Sequence, residues 1–534
     1  MTPDLRGFEL DGETGASGGE PGNGISAVLD VLGQAFGVAA EHGAPGARQH
    51  TWLDTFDWRL YRAGLVLEYE HARRGGRLLL SRNEVPQAEQ PVDGWRPSRP
   101  RLATDLPAGP VRDQVVRLAS PRALLPMASA AGTVTVTRLL NADGKTVARL
   151  IVDHSTVTRG DQTVPLPARL AITEVRGYPG QARKAAQLVA GTPGVSPAGR
   201  SAFATALAAL GRHPNDYSGG VTAEITAEMP APVAVATLLL GLLDTLEQNV
   251  DGTLRDIDIE FLHDLRVAVR RTRSAIKLLG DMLPDGLAAP YAAEFKWLGD
   301  LTTPTRDLDV HLFGFDAMAR ELVAASPADL EPFRAYLVRR RVREVRRLAS
   351  GLRSARFRTI TDHWRKALTE VRDARPPRQG SGVLTADELA VARTARTFRR
   401  VAARGSAITP ASAPESLHDL RKRCKELRYA LEFFAPLHDP VIYRKVVGDL
   451  KQLQDCLGEF QDSQVQREEI HALADAMLAE HAAPAATLLA MGEIAANLAL
   501  SQAEAREVFA GRFARFAGPA GQERVRTLLT GPRP

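Results

Sequence analysis

His263, Arg266, Arg270 and Arg273 follow one another at spacings of three, four and three residues within "HDLRVAVRRTRSAIKL". On an α-helix such positions share a face, so they make a ridge of cations headed by an imidazole. The order recurs in "HDLRKRCKELRYALEF" as His418, Arg421, Lys425 and Arg428, with Lys422 alongside. Guanidinium groups offer planar forks to pairs of anionic oxygens, ammonium groups offer point charges, and imidazole adds a donor that depends on its protonation. A ridge of this kind suits a partner with many closely spaced negative charges, gripped by charge-assisted hydrogen bonds. Glu426 interrupts the second ridge, so the two are expected to bind unequally.

These ridges need helices with one apolar and one cationic side. Leu265, Val269, Ile276 and Leu279 supply the apolar side of the first, with Asp264 read as an acid at the helix start. The two copies lie 418 − 263 = 155 residues apart, and the offset persists: Lys296 falls on Lys451, Leu298 on Leu453, Asp300 on Asp455, Asp307 on Asp462 and Val310 on Val465. An ungapped register of that length predicts an internal duplication, with two similar helical halves about a pseudo-twofold axis. It also adds Lys296 and Lys451 to the candidate residues. Cys424 and Cys456 fall on Val269 and Leu301, so both are expected as buried core thiols.

A third basic stretch runs from Arg334 to Lys366, with twelve Lys or Arg against Glu344 and Asp362. Arg339, Arg343 and Arg346 align at helical spacing there. Helix-face ion pairing needs comparable numbers of acids, so this excess also points to an anionic partner. Exposed aromatics for base stacking are not interleaved with the ridges, which disfavours nucleic acid.

Across 534 residues, 68 Lys and Arg stand against 63 Asp and Glu, a net charge of +5. Basic function must therefore come from the placement of charges. Two cysteines suit a reducing, cytoplasmic setting. The N-terminus lacks a signal-peptide pattern, and the apolar run Pro232 to Leu246 is too short for a bilayer, so no membrane association is expected. The expected divisions are a flexible tail at 1–24, an α+β domain at 25–212 and a linker at 213–220. An all-α domain at 221–518 follows, with halves at 221–374 and 383–518 joined by "RPPRQGSG", and a C-terminal tail at 519–534. Strands are expected at Val134 to Leu140, Thr146 to Asp153 and Leu170 to Gly177, the first two linked by the hairpin signal "NADG".

Four motifs, "LHDLRVAVRRTRSAIKLL", "LGDLTTPTRDLDV", "LHDLRKRCKELRYALEFF" and "LKQLQDCLGEFQDSQV", together resemble the CHAD family, the conserved histidine α-helical domain. The resemblance implies two four-helix units with pseudo-twofold symmetry and binding of inorganic polyphosphate, without a cofactor. Carried over by position, the binding residues would be His263, Arg266, Arg270, Arg273, His418, Arg421, Lys422, Lys425 and Arg428. The first half, in "WLDTFDWRLYRAGLVL", "LNADGKTVARLIVDHSTV" and "LAITEVRG", is similar to the CYTH or triphosphate-tunnel family. That implies an antiparallel β-barrel and metal-assisted triphosphate hydrolysis.

This barrel reads as degenerate. "FELDGETG" has acids but no Lys and no strand-like context, Glu68 and Glu70 replace the family's arginines, and "GRSAFATAL" lacks its late Lys. The expectation is a non-catalytic polyphosphate binder with no metal site, associated with polyphosphate granules. Two alternatives stay open: a metal-dependent triphosphatase or short-chain polyphosphatase, and a general polyanion or nucleic-acid binder.

Overall fold

Alternating β-branched residues in the first half and Ala, Leu and Arg at helical spacing in the second produce two different architectures. The structure, a computed structural model, describes residues 7–14, 23–40, 45–72, 75–159, 161–220, 223–374 and 384–531. The expected joint at 375–382 lies outside these residues, as do 1–6 and 15–22 of the expected N-terminal tail. The chain divides into two units, Met1–Ser218 and Gly219–Pro534.

The first unit is built on one antiparallel sheet. Its strands are β1 (Phe8–Thr14), β2 (Gly37–Ala40), β3 (Gly46–Thr55), β4 (Val66–His71), β5 (Gly76–Arg82) and β6 (Val85–Val92). They continue with β7 (Arg101–Leu102), β8 (Ala123–Leu140), β9 (Thr146–Arg159), β10 (Gln162–Pro165), β11 (Pro167–Glu174) and β12 (Val195–Pro197). The order is β12-β1-β11-β9-β8-β3-β4-β5-β6, with β10 on β9 and β2 and β7 on β8. The "NADG" signal forms the β8–β9 hairpin. Asn141 Oδ1 accepts from Asp143 N at 3.1 Å and Lys145 N at 2.9 Å, while Gly144 takes φ 72°.

One face of the sheet is apolar, because side chains alternate along a strand. Leu139, Leu150, Val152, Leu170 and Ile172 bury it against α1 (Asn23–Gly33) and α4 (Pro179–Ala190). The short helices α2 (Arg59–Arg62), α3 (Pro110–Ala119) and α5 (Ala202–Ala209) complete the unit.

Two expectations are corrected here. No pairing joins β12 to β6 among the described residues, so the sheet is open and no closed β-barrel forms. Pro86 and Pro91 on β6 and Pro197 on β12 have no N–H to extend a ladder at those edges. In addition, "FELDGET" is a strand despite its acids. It lies between β11 and β12, with Phe8 and Leu10 buried and Glu9 on the opposite, polar face.

The second unit is all-helical. Its elements are α6 (Ala231–Gln248), α7 (Val250–Leu254), α8 (Ile259–Leu279), α9 (Ala288–Arg320), α10 (Glu331–Leu352) and α11 (Ala355–Asp373). After these come α12 (Ala386–Ser406), α13 (Pro414–Phe433), α14 (Pro440–Ala479), α15 (Ala485–Ala517) and α16 (Pro519–Thr530). Among the described residues, the half expected at 221–374 holds six α-helices and so departs from a four-helix unit, while the half expected at 383–518 holds four, α12 to α15. The expected C-terminal tail begins instead with α16, whose Val525 and Leu528 are buried in the core around Leu450 and Phe516. The stretch Ala231–Leu254 is long and apolar enough to cross a membrane by composition, yet Leu238, Leu239, Leu242 and Leu243 are buried in the helical core.

The His-Asp-Leu-Arg segment of α8 sits inside the helix, not at its start. Asp258 is the cap, accepting from Glu260 N at 2.9 Å and Phe261 N at 3.2 Å. Asp264 thus lies in the second turn, while Leu265 is fully buried as expected of a core contact.

Candidate anion-binding cleft

Burial of Leu265, Val269 and Ile276 on α8, and of Leu420, Cys424 and Leu427 on α13, turns their remaining faces outward. The two helices are neighbours, and α14 packs on α13. Together they border a cleft of about 350 Å³. Arg270 and Arg271 enter it from α8, and Arg421, Lys425 and Arg428 from α13. Carboxylates share the same walls: Glu432 on α13, and Asp455, Glu459 and Asp462 on α14. Four of the sequence-derived candidates, from both ridges, therefore meet at one place.

Three of the cleft's arginines are tied to carboxylates. Arg421 Nη2 donates to Asp462 Oδ1 at 2.8 Å, and Arg428 Nε to Glu432 Oε1 at 2.6 Å. Glu432 also accepts from Arg271 Nη2 at 3.2 Å. Lys425 is half-buried, and burial together with the charges of Arg421 and Arg270 pushes its ammonium down to about 8, against a smaller opposing pull from Asp462. Such crowding of like charge is relieved when an anion arrives.

The other candidates sit around this cleft or away from it. Arg266 donates to Gly299 O at 3.4 Å and to the Thr303 hydroxyl, both on α9. Arg273 also crosses to α9, where a Cβ on Gly299 would come within 2.8 Å of its guanidinium. His263 is half-buried; burial, and then the Arg306 guanidinium, lower its pKa from the ordinary imidazole value. His418 Nδ1 lies 2.7 Å from Gln461 Oε1. Lys422 is exposed beside Asp419 at 3.5 Å, Lys296 is exposed and paired with Asp300 at 2.6 Å, and Lys451 is exposed on α14. Arg339, Arg343 and Arg346 are exposed on α10, with Arg339 over the Tyr336 ring at 5.8 Å, and none of the three lines the cleft.

Several cleft residues escaped the sequence reading. Asp455 and Asp462 were visible only as register marks opposite Asp300 and Asp307, and Arg271 and Glu432 carried no signal beyond their charge. Glu426, expected to interrupt the second ridge, does not line the cleft; it accepts from Lys277 at 2.6 Å and Arg423 at 2.9 Å. Asp309 was likewise unmarked, yet it is buried and receives Arg341 Nε at 2.5 Å.

A family model described as the CHAD domain matches residues 237–471. The chain carries a CHAD domain. The matched residues begin in α6 and end in α14, so the CHAD domain includes every residue that borders the cleft. Among solved structures, the chain is similar to a CHAD domain from the plant Ricinus communis. They are 22% identical with a TM-score of 0.43, over 59% of this chain and 96% of that one. It is also similar to PptA from Streptomyces chartreusis, at 17% identity and a TM-score of 0.42, over 53% of this chain and 99% of that one. No curated protein matches the chain.

Outside the CHAD domain, the polar face of the first unit's sheet is mixed in charge. Arg48 pairs with Asp153 at 2.8 Å, Glu68 at 3.3 Å and Glu70 at 3.6 Å, and His50 Nδ1 lies 2.8 Å from Glu68. Burial opposes ionisation of Glu68, but the His50 hydrogen bond and the Arg48 charge outweigh it and hold the carboxyl below its usual range. Arg77 pairs with both Glu70 and Glu89. Arg169 lies 3.8 Å from Glu9 and 3.6 Å from Glu84, so a side-chain contact crosses the face that backbone pairing leaves open.

Proposed function

We propose that the CHAD domain binds inorganic polyphosphate without chemical turnover, in the cytoplasm and on polyphosphate granules. The observation that carries this reading is the convergence of Arg270, Arg421, Lys425 and Arg428 on one cleft. Cations drawn from two ridges at one opening suit a linear chain of phosphates, with contacts that continue along both helices. The same reading takes the 155-residue register as a duplication that supplies both ridges. Support for a non-catalytic role comes from the first unit. Glu68 and Glu70 are committed to Arg48, His50 and Arg77, an arrangement that spends the charge a triphosphate would need.

The test is a mobility shift on long-chain polyphosphate, with DNA as competitor, beside a phosphate-release assay on tripolyphosphate with Mg²⁺ or Mn²⁺. The reading expects a shift that DNA does not abolish, weakens steeply with salt by analogy with counterion release, and comes with no phosphate release. Equal competition by DNA makes the protein a general polyanion binder. Metal-dependent release establishes the triphosphatase alternative.

A further inference from the structure

A cleft built only to attract anions would be lined by cations alone. This one sets five cationic groups, Arg270, Arg271, Arg421, Lys425 and Arg428, against the four carboxylates Glu432, Asp455, Glu459 and Asp462, leaving one net positive charge. The carboxylates are not equivalent. Asp455 and Glu459 are exposed and make no hydrogen bond with the cleft's cations among the described residues. Glu432 is largely buried, its side chain 15% exposed, and is held by Arg271 and Arg428 together. Asp462 differs from all three. It occupies Arg421 directly at 2.8 Å while its own side chain is 58% exposed, so it can swing into solvent while Arg421, 19% exposed, stays in place.

A carboxylate oxygen on a guanidinium stands where a phosphate oxygen would stand, since both use the same planar donors. Resting on the polyphosphate reading above, we infer that Asp462 is an internal competitor: it occupies the Arg421 phosphate seat in the free protein and must be displaced by each ligand that binds there. Displacement costs every ligand the same, so it leaves the ratio of affinities unchanged and acts as an absolute threshold. A short anion with few contacts falls below useful affinity. A long chain recovers the cost through further contacts along the ridges, by multivalency. Asp462 would thus set a threshold of affinity that a long polymer clears and that orthophosphate and other small anions do not.

The experiment compares wild type, Asp462→Asn and Asp455→Asn by calorimetry at physiological salt, with tripolyphosphate and with long-chain polyphosphate. Both substitutions remove one negative charge from the cleft, but only the first breaks an ion pair with an arginine. Asp462→Asn should tighten both ligands about tenfold, the scale of one charge-assisted hydrogen bond. Asp455→Asn should change them by less than about threefold, the scale of an exposed charge. Equal gains from the two variants, or none from Asp462→Asn, would overturn the inference and leave the polyphosphate reading standing. Wild type that melts normally yet does not bind long-chain polyphosphate removes that reading, and this inference with it.

Discussion

Arg270 on α8 and Lys425 on α13 open onto the same cleft, although 425 − 270 = 155 residues separate them in the chain. They hold equivalent places in the sequence register, and among the described residues neither has a carboxylate within ion-pair distance. Their guanidinium and ammonium groups are therefore the cleft's uncommitted cations. Replacing either with Ala should weaken polyphosphate binding about tenfold, the scale of a charged contact. Because both reach one opening, a double-mutant cycle should show coupling between them rather than simple addition. An unchanged mobility shift for the double variant would count against the cleft as the binding site.

Lys425 gives binding a pH dependence of defined sign. With its pKa near 8 in the free protein, it is charged below that value and neutral above it. A bound anion favours the charged form, so the complex takes up a proton and affinity falls as pH rises from about 7 to about 9. Calorimetry in buffers of different ionisation heat should detect the uptake, and Lys425→Met should abolish it.

The same depressed value implies a stability cost at neutral pH, where the folded protein holds a charge its surroundings disfavour. Between pH 8 and 10.5 the unfolded chain binds the extra proton, so the folded state gains stability as pH rises through that window. Lys425→Met should accordingly raise the melting temperature at pH 7, by roughly 2 °C or more.

His263 should behave differently from the simple phosphate sensor that its place at the head of a ridge suggests. Burial and the nearby Arg306 lower its pKa, so it charges only below the ordinary value of 6.5. In that window the unfolded chain is the better proton acceptor, and stability is lost as pH falls below 6.5. His263→Gln should lessen acid sensitivity in melts between pH 5 and 6.5. It should leave the binding profile above pH 7 unchanged.

Arg341 ties α10 to two acids: Asp309 on α9 at 2.5 Å, with 1% of its side chain exposed, and Asp256 at 2.6 Å. Arg341→Met leaves Asp309 buried without its ion-pair partner and should cost roughly 3–5 kcal/mol by denaturant unfolding. Combining it with Asp309→Leu should recover most of that loss. If Arg341→Met were as stable as wild type, the pair would be ornamental.

Cys424 should resist alkylation in the native state, since it is fully buried and burial pushes its thiol up to about 12. Iodoacetamide labelling followed by mass spectrometry should find it modified only after unfolding.

Much of this protein was legible without coordinates, because local physics fixes it. Helical spacing placed Leu265 and Val269 inward and Arg270 outward, since a helix admits one arrangement of faces. The "NADG" hairpin and its strands follow from turn chemistry that acts over a few residues. The 155-residue register alone pairs Arg270 with Lys425. Other features depended on the fold. Acids in "FELDGET" argue against a strand on propensity alone, yet β11 and β12 supply partners on both sides and override it. An open or a closed sheet is decided where distant edges meet, and so is not a property of any one segment. Nor could spacing assign Glu426 to Lys277 and Asp462 to Arg421, because these partners come from separate helices. Sequence determined which residues carry charge and which way each helix turns them; only tertiary packing decided which charges are already answered by a carboxylate and which remain open to a ligand.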